Sequence, residues 1–545
     1  MADTDPLALI LSGGPTHLGA PDLTHQSGVA ALSRIAQAAS HLGRRFETVA
    51  IDQCCAPAIT TKSVCWTYAA LLSAARVVAS RLIANPLFRP GDRVVVLLPN
   101  SPEYVAGFYG ALLAGGVAVP APPKTEAGAL RAIFASTEAV AVVADSAVMK
   151  SRADLQSLTR ETVDLSDATA PEATSDGPVH DFTGNELAAI FFTGGSTGSP
   201  KGVMLSHRNL LSNARSIQQY LRITSADRPL SILPFHHAFG NSVWQSHLLA
   251  GAHIVLDGQT SFPETLIEAL VRHECTSLSG VPDLFRMLLE RSSLGQTRLP
   301  NLRYMAVAGG ALPHDLSLEM SRRITPAEFF VMYGQTEATA RLAYLPPEYL
   351  GRVPGTSIGR SVPGVTLEIV DEHNQPVAPG AVGELRATGE NIMLGYWRDS
   401  AGTAERVRSG WLYTGDLASR DAAGWFSLQG RSSSIIKIAG FRVQPGDLED
   451  FAVRRLEAIQ AVAVPCDTAD FGTRLALYVR HGTTTRNLTL SEMIARCRAE
   501  LPRQMVPEVI QVVDEFPLNQ ALKIDRPLLK RLAEESRAGS RRALA

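Results

Sequence analysis

Short apolar runs alternate with longer amphipathic stretches through the first two thirds of the chain. Residues 93–98 form a run of strand length that is apolar after its leading Arg93, and 117–120 and 139–144 are apolar throughout. Residues 67–83 and 103–115 instead carry apolar side chains at helical spacing. That alternation predicts parallel strands covered by helices, an α/β fold. The same logic makes 188–192 a buried strand and 206–221 a helix, while the Asp/Ala/Ser-rich stretch 164–177 reads as an exposed loop. Between residues 355 and 395 the rhythm shifts to short strands broken by Gly and Pro, which suits a small antiparallel β-barrel. Past Gly430-Arg431 it shifts again, to a helix at 447–456, strands at 461–464 and 475–479, and a helix at 490–501. The expectation is therefore a large N-terminal domain, 1–431, of layered α/β subdomains plus the barrel. A small α+β C-terminal domain, 432–545, follows it. The tail bearing Arg537, Arg541 and Arg542 reads as a frayed, solvated end.

Composition narrows the function. A chain of 545 residues can bury a large core in more than one domain. A net charge of −2 supplies no field for nucleic acid or an anionic membrane. The cysteines (54, 55, 65, 275, 466, 497) form no C-x-x-C pair and no metal-ligand spacing, as expected of reduced, incidental thiols. The first twenty residues carry Asp3 and Asp5 and too short an apolar run for a signal peptide. No window approaches the roughly 18 to 20 apolar residues of a spanning helix. The expected location is cytoplasmic.

One loop concentrates the chemistry. In Phe191-Phe-Thr-Gly-Gly-Ser-Thr-Gly-Ser-Pro-Lys-Gly-Val203, the glycines Gly194, Gly195 and Gly198 free the backbone N–H groups to converge. Thr193, Ser196 and Thr197 add hydroxyls, and Lys201 adds a cation. Such a loop suits a polyphosphate. It is not a Walker P-loop, which needs Gly-Lys-[Ser/Thr] opening a helix.

Further segments follow in fixed order: Tyr333-Gly-Gln-Thr-Glu337, Gly410-Trp-Leu-Tyr-Thr-Gly-Asp416, Gly430-Arg431, Ile436-Lys-Ile-Ala-Gly-Phe-Arg-Val443 and Pro517-Leu-Asn-Gln-Ala-Leu-Lys523. Together with the loop they resemble the adenylate-forming superfamily of acyl- and aryl-CoA synthetases, peptide-synthetase adenylation domains and firefly luciferase. The resemblance runs from about Trp66 to about Leu532. It implies an enzyme that activates a carboxylic acid with ATP and Mg²⁺, releases pyrophosphate, and passes the acyl group to a thiol. The loop would grip the β- and γ-phosphates through Thr193, Thr197 and Lys201. Within Tyr333-Gly334-Gln335-Thr336-Glu337, Tyr333 would lie against the purine, Thr336 would donate to the α-phosphate and Glu337 would hold Mg²⁺. Gly309-Gly310-Ala311 would let adenine and acyl tail approach the backbone. Asp416 would accept the ribose hydroxyls, with Arg431 reaching the same sugar. Lys523, delivered by a mobile C-terminal lid, would bridge the substrate carboxylate and the α-phosphate, and Lys437 and Gly440 would serve the thiol half-reaction. Two positions depart from the family pattern. Ser433 occupies the hinge position where relatives carry Asp or Lys, and Leu522 replaces the glycine before the catalytic lysine.

The run Pro234-Phe-His-His-Ala-Phe-Gly-Asn-Ser-Val-Trp244 aligns with the family's acid pocket, naming His236, His237, Gly240 and Asn241, with Val281 opposite. Amino-acid adenylation domains commonly place Asp where Gly240 stands, and a buried α-ammonium without that partner would be strongly disfavoured. His237 takes the place of a histidine beside the substrate carboxylate. The walls Ser279-Gly-Val-Pro282 and 307–311 read as small and apolar, suited to a fatty or aryl acid. The acceptor thiol would be CoA or the phosphopantetheine of a separate acyl or peptidyl carrier protein. Alternatives are a stand-alone amino-acid adenylation enzyme, a luciferase-like oxygenase and a degenerate adenylate-binding protein.

Overall fold

A computed structural model of the chain describes residues 40–152, 154–159, 161–165, 183–193, 200–310, 312–431, 436–438, 441–468, 472–482, 488–518 and 524–542. Most of the stretch read as an exposed loop, 166–177, lies outside these residues.

A seven-stranded sheet runs from Gly395–Tyr396 through Lys201–Ser206, Leu187–Thr193, Val117–Pro120, Arg93–Val96 and Ala141–Ala144 to Glu161–Asp164. Its interior strands pair in parallel. Helices cover them, which is why they read as unbroken apolar runs: Val94, Val95, Val96, Val119, Val142 and Val143 are all fully buried. The covering helix Pro102–Leu113 starts at a Ser101 cap with proline in its first turn. Gly110 lets it lie close against Tyr68–Ala84, since a Cβ there would sit 2.5 Å from that of Val78. Leu187–Thr193 pairs antiparallel with Lys201–Ser206, with Thr193 opposite Lys201. Ser206 caps the next helix, His207–Leu221, in a reciprocal box with Asn209.

A second sheet has the parallel strands Ser277–Gly280, Tyr304–Val307 and Glu328–Tyr333 at its centre. Beyond them it continues antiparallel through Ala343–Leu345, Ser357–Ser361, Phe426–Arg431, Trp411–Arg420 and Val382–Gly389 to Val365–Val370. The strands expected of a separate barrel are therefore present but differently joined. Ser357–Ser361 pairs with Ala343–Leu345 on one side and Phe426–Arg431 on the other, carrying the ladder outward from the large sheet. Among the described residues they do not close into a barrel.

The C-terminal part builds its own core around the strands Ala458–Thr468, Gly472–His481 and Val509–Val512. Leu475, Leu477 and Val479 face one apolar cluster while Ala476 and Tyr478 face another, the period of two expected of a strand covered on both sides. Leu529 and Ala533 of the helix Arg526–Arg542 belong to the second cluster. The helix runs on to Arg542, so the backbone of the tail is helical at 537–542 where a frayed end was expected. This part rests on the helix Pro282–Arg291. Arg286 donates to the Ile459 carbonyl at 2.7 Å, Gln460 donates to Asp283 at 2.8 Å, and Arg480 pairs with Glu290 at 2.8 Å. Among the described residues no helix is long and apolar enough to cross a membrane.

Candidate active site

Asp416 and Arg431 stand opposite each other on neighbouring antiparallel strands. Arg431 Nε donates to Asp416 Oδ1 at 2.9 Å, and the Tyr333 hydroxyl donates to Oδ2. Thr414 shapes the approach: its hydroxyl donates to the Leu385 carbonyl at 2.7 Å and accepts from the Asp416 amide at 3.1 Å. The carboxylate is only 7 % exposed, and each oxygen keeps a further lone pair for a ligand hydroxyl. Burial first, and the Asp416 charge second, raise the Tyr333 phenol well above its ordinary range, so it stays a donor.

Tyr333 ends its strand, and the chain folds back immediately. Leu342 donates to the Tyr333 carbonyl and Ala340 to that of Gln335. Gly334 is required at this reversal, because a Cβ there would lie 2.1 Å from the Ala340 oxygen. The short 3-10 turn Thr336–Ala338 then presents Thr336 and Glu337, both partly exposed. Gln335 Nε2 is buried without a partner.

Two residues that sequence reasoning passed over tie this turn to Lys201. Tyr396 donates its hydroxyl to Glu337 Oε1 at 2.8 Å while its ring lies 4.7 Å from the Lys201 ammonium. Asp399 approaches the same ammonium at 3.3 Å. The Gly402 amide and Lys201 hold the Asp399 carboxyl below its usual range. The available signal was positional: Gly395–Tyr396 forms an edge strand on Lys201–Ser206. Thr193 Oγ1 donates to the Lys201 carbonyl at 3.4 Å across the strand pair. Gly194, Gly195, Ser196, Thr197 and Gly198 lie outside the described residues.

The strand Tyr304–Val307 runs parallel beside Glu328–Tyr333 in the same sheet. Beyond it Gly309 adopts φ +88°, and a Cβ on Gly310 would stand 3.3 Å from Pro282. Val281 caps the helix that starts at Pro282. Ala311 lies outside the described residues, as do Ser433, Gly440 and Lys523. Lys437 is placed on the hairpin strand Ile436–Ile438 by its backbone alone.

His236 and His237 lead into the helix Ala238–Leu248, their rings 4.5 Å apart and tilted by 48°. Burial, then the neighbouring His237, push His236 down to about 3, so it is neutral at physiological pH. Gly240 has a steric reason to be glycine, since a Cβ would lie 2.1 Å from the Pro234 oxygen. Asn241 accepts from Gln245 at 3.1 Å. A buried cation stands next to this segment. Arg341, four positions after Glu337, is 1 % exposed and lies over the ring of Phe239 at 4.4 Å. A lone arginine between Ala340 and Leu342 carries no signal of burial in the sequence.

Comparison with known proteins places this geometry. A family model described as AMP-binding enzyme matches residues 46–397. The long-chain-fatty-acid–CoA ligase of Salmonella typhimurium is 28 % identical over 90 % of this chain and 94 % of its own length. A linear gramicidin synthase of Brevibacillus parabrevis is 31 % identical over 87 % of this chain and 6 % of that protein. Among solved structures, ATP-bound MatB from Rhodopseudomonas palustris superposes with a TM-score of 0.79 at 26 % identity, covering 90 % of this chain and 98 % of that one. With the matched region spanning well over half of its length, this chain belongs to the AMP-binding enzyme family.

Proposed function

We propose that this protein joins a carboxylic acid to CoA through an acyl-adenylate. One oxygen of the acid attacks the α-phosphorus of ATP, the bond to the bridging β-oxygen breaks, and pyrophosphate leaves. The CoA sulfur then attacks the acyl carbon, AMP departs with the carboxylate oxygen it received, and the thiol proton passes to solvent. The observation that carries the reading is the Asp416 carboxylate, buried between Tyr333 and Arg431 with lone pairs to spare for a ribose diol. CoA is favoured over a carrier-protein arm because relatives aligned over nearly their whole length are CoA ligases.

Thr193, Thr197 and Lys201 of the Gly/Ser/Thr segment would hold the terminal phosphates, and Thr336 the α-phosphate. Glu337 would hold the magnesium ion that accompanies ATP. It fits, being a hard oxygen ligand on a short turn with one oxygen fixed by Tyr396. The ion, when bound, neutralises phosphate charge. His237 would lie beside the substrate carboxylate, with Asn241 and Val281 along the pocket. Lys523 would bridge carboxylate and α-phosphate from a C-terminal lid, 432–545, turning about Ser433, and Lys437 and Gly440 would serve the thiol step. Gly240, the residue where amino-acid adenylation domains carry Asp, argues against an α-amino acid.

The test is pyrophosphate release against a panel of fatty, aryl, dicarboxylic and amino acids, with and without CoA, followed by mass measurement of the product. Acid-dependent release with an acyl-CoA product is expected. Release with an amino acid alone, or none with any acid, contradicts the reading.

A further inference from the structure

Arg341 is a buried cation without a buried anion. Its side chain is 1 % exposed, yet among the described residues it forms no ion pair. Its Nη1 donates to the Ala340 carbonyl at 3.2 Å and its plane lies over Phe239 at 4.4 Å. The nearby Tyr220 hydroxyl donates to Met332 Sδ at 3.1 Å, and the Arg341 charge acts on its phenol. Nε has no partner. The other deeply buried arginine, Arg286, shows the contrast: Asp283 and Glu290 flank it. Removing a guanidinium from water without a counter-ion is strongly unfavourable, so a fold that keeps one there gains from it only when an anion arrives.

Its position says where that anion comes from. Phe239 stands between His237 and Gly240 at the start of the acid-pocket helix, and Arg341 follows the Thr336–Ala338 turn by three residues. Asn391 fixes this segment, donating to the carbonyls of Ala338 and Arg341 at 3.1 and 2.8 Å. The helix His207–Leu221 adds polar groups on the face that carries Tyr220. Asn213 Oδ1 and Ser216 Oγ, at helical spacing from it, are buried without partners. A purely hydrocarbon acyl chain would satisfy none of these atoms.

We infer that Arg341 recognises a second carboxylate on the acid, making the preferred substrate a dicarboxylic acid rather than a simple fatty acid. This rests on the proposed adenylation of a carboxylic acid. The free Nε edge of the planar guanidinium matches a carboxylate, whereas a hydroxyl or amide would leave the charge uncompensated.

The test compares chain-length-matched monocarboxylic and α,ω-dicarboxylic acids in pyrophosphate release, using the wild type, Arg341→Leu and Arg341→Lys. The wild type is expected to favour the diacid in kcat/KM by about 10- to 100-fold, the range for a charge-assisted contact. Arg341→Leu should narrow that ratio to within about threefold, through the KM of the diacid while the KM of ATP holds, and Arg341→Lys should recover part of it. If Arg341→Leu does not fold, the wild-type preference and Arg341→Lys decide. Wild-type preference for monoacids, or an equal loss with every acid in a folded Arg341→Leu protein, overturns the inference while leaving adenylation intact. No release with any of the acids overturns the underlying activity and this inference with it.

Discussion

Tyr396 donates its hydroxyl to Glu337 Oε1 at 2.8 Å although 59 positions separate the two in sequence. The same ring carries the Lys201 ammonium on its face, so one side chain sets the spacing between the candidate metal ligand and the candidate phosphate cation. Tyr396→Phe keeps the ring and removes the hydroxyl. A hydrogen bond to a charged group contributes about 1.5–3 kcal/mol, so the magnesium concentration for half-maximal pyrophosphate release should rise about tenfold. A magnesium titration at fixed ATP reads this directly, and an unshifted curve would remove Tyr396 from the metal site.

Asp416 should affect ATP binding more than turnover. Ribose contacts are made about equally in ground and transition states, so Asp416→Ala should raise the KM of ATP by about 10- to 100-fold with kcat falling less than tenfold. Initial-rate measurements against ATP separate the two. A collapsed kcat with an unchanged KM would assign Asp416 a different role.

Acid should destabilise the fold in a defined window. Burial pushes His207 and His247 down to about 4 and His236 to about 3, against about 6.5 in an unfolded chain. Between those values the unfolded chain binds protons that the folded one refuses. Stability is therefore full above about pH 6.5 and is lost as pH falls toward about 4 and then about 3. Each histidine adds a slope of about 1.4 kcal/mol per pH unit inside its window. In His207→Gln the amide oxygen can replace the Nδ1 that accepts from the Leu42 amide, and the slope should flatten by one proton's worth. Urea unfolding at several pH values between 7.5 and 5 checks this, and an unaltered slope would show that His207 does not contribute.

The contact between Arg480 and Glu290 should bias the balance of the two half-reactions. It joins the C-terminal part to the helix that begins beside Val281. Partly exposed pairs contribute about 0.2–1 kcal/mol, so Glu290→Lys should alter the ratio of adenylation to thioester formation by up to about fivefold. The charge-swapped pair Glu290→Lys with Arg480→Glu should restore it. A ratio indifferent to both changes would mean this docking does not limit either step.

What was legible in the sequence follows from where the information lies. The strand ending at Thr193 and the Tyr333–Glu337 turn are carried by contiguous residues whose types state their chemistry, and Asp416 and Arg431 were each named by a short motif although their ion pair shows only in the fold. Tyr396 and Asp399 act only through partners far away in the chain, and their own segment shows no charge cluster. Arg341 was missed because its neighbours are those of any strand edge, and only the packing of Phe239 and Tyr220 around it reveals burial. The barrel was misread because alternation predicts strands but not which edge they join, and Ala343–Leu345 joins them to the large sheet. The tail at 537–542 was read as frayed from its arginines alone, whereas it continues a helix whose earlier turns dock Leu529 and Ala533 on the sheet.

Lys523 separates the two chemical steps. If its ammonium neutralises charge while the carboxylate attacks phosphorus, Lys523→Ala should slow adenylation by about 10²- to 10⁴-fold. Thiol transfer from a supplied acyl-AMP should stay within about tenfold of the wild type if the proposed lid turns the lysine away for that step. Single-turnover measurements of each half are needed. Equal losses in both would mean a lid that does not turn, which Ser433 at the hinge makes a specific alternative.

The central claim is that an acyl-adenylate forms before any thiol takes part. Acid-dependent exchange of labelled pyrophosphate into ATP, measured with no CoA present, tests it most directly. The account predicts exchange that requires both the acid and magnesium, falls with Lys523→Ala, and accompanies AMP as the nucleotide product once CoA is added. Exchange that appears only with CoA, or turnover that yields ADP and phosphate, would contradict it.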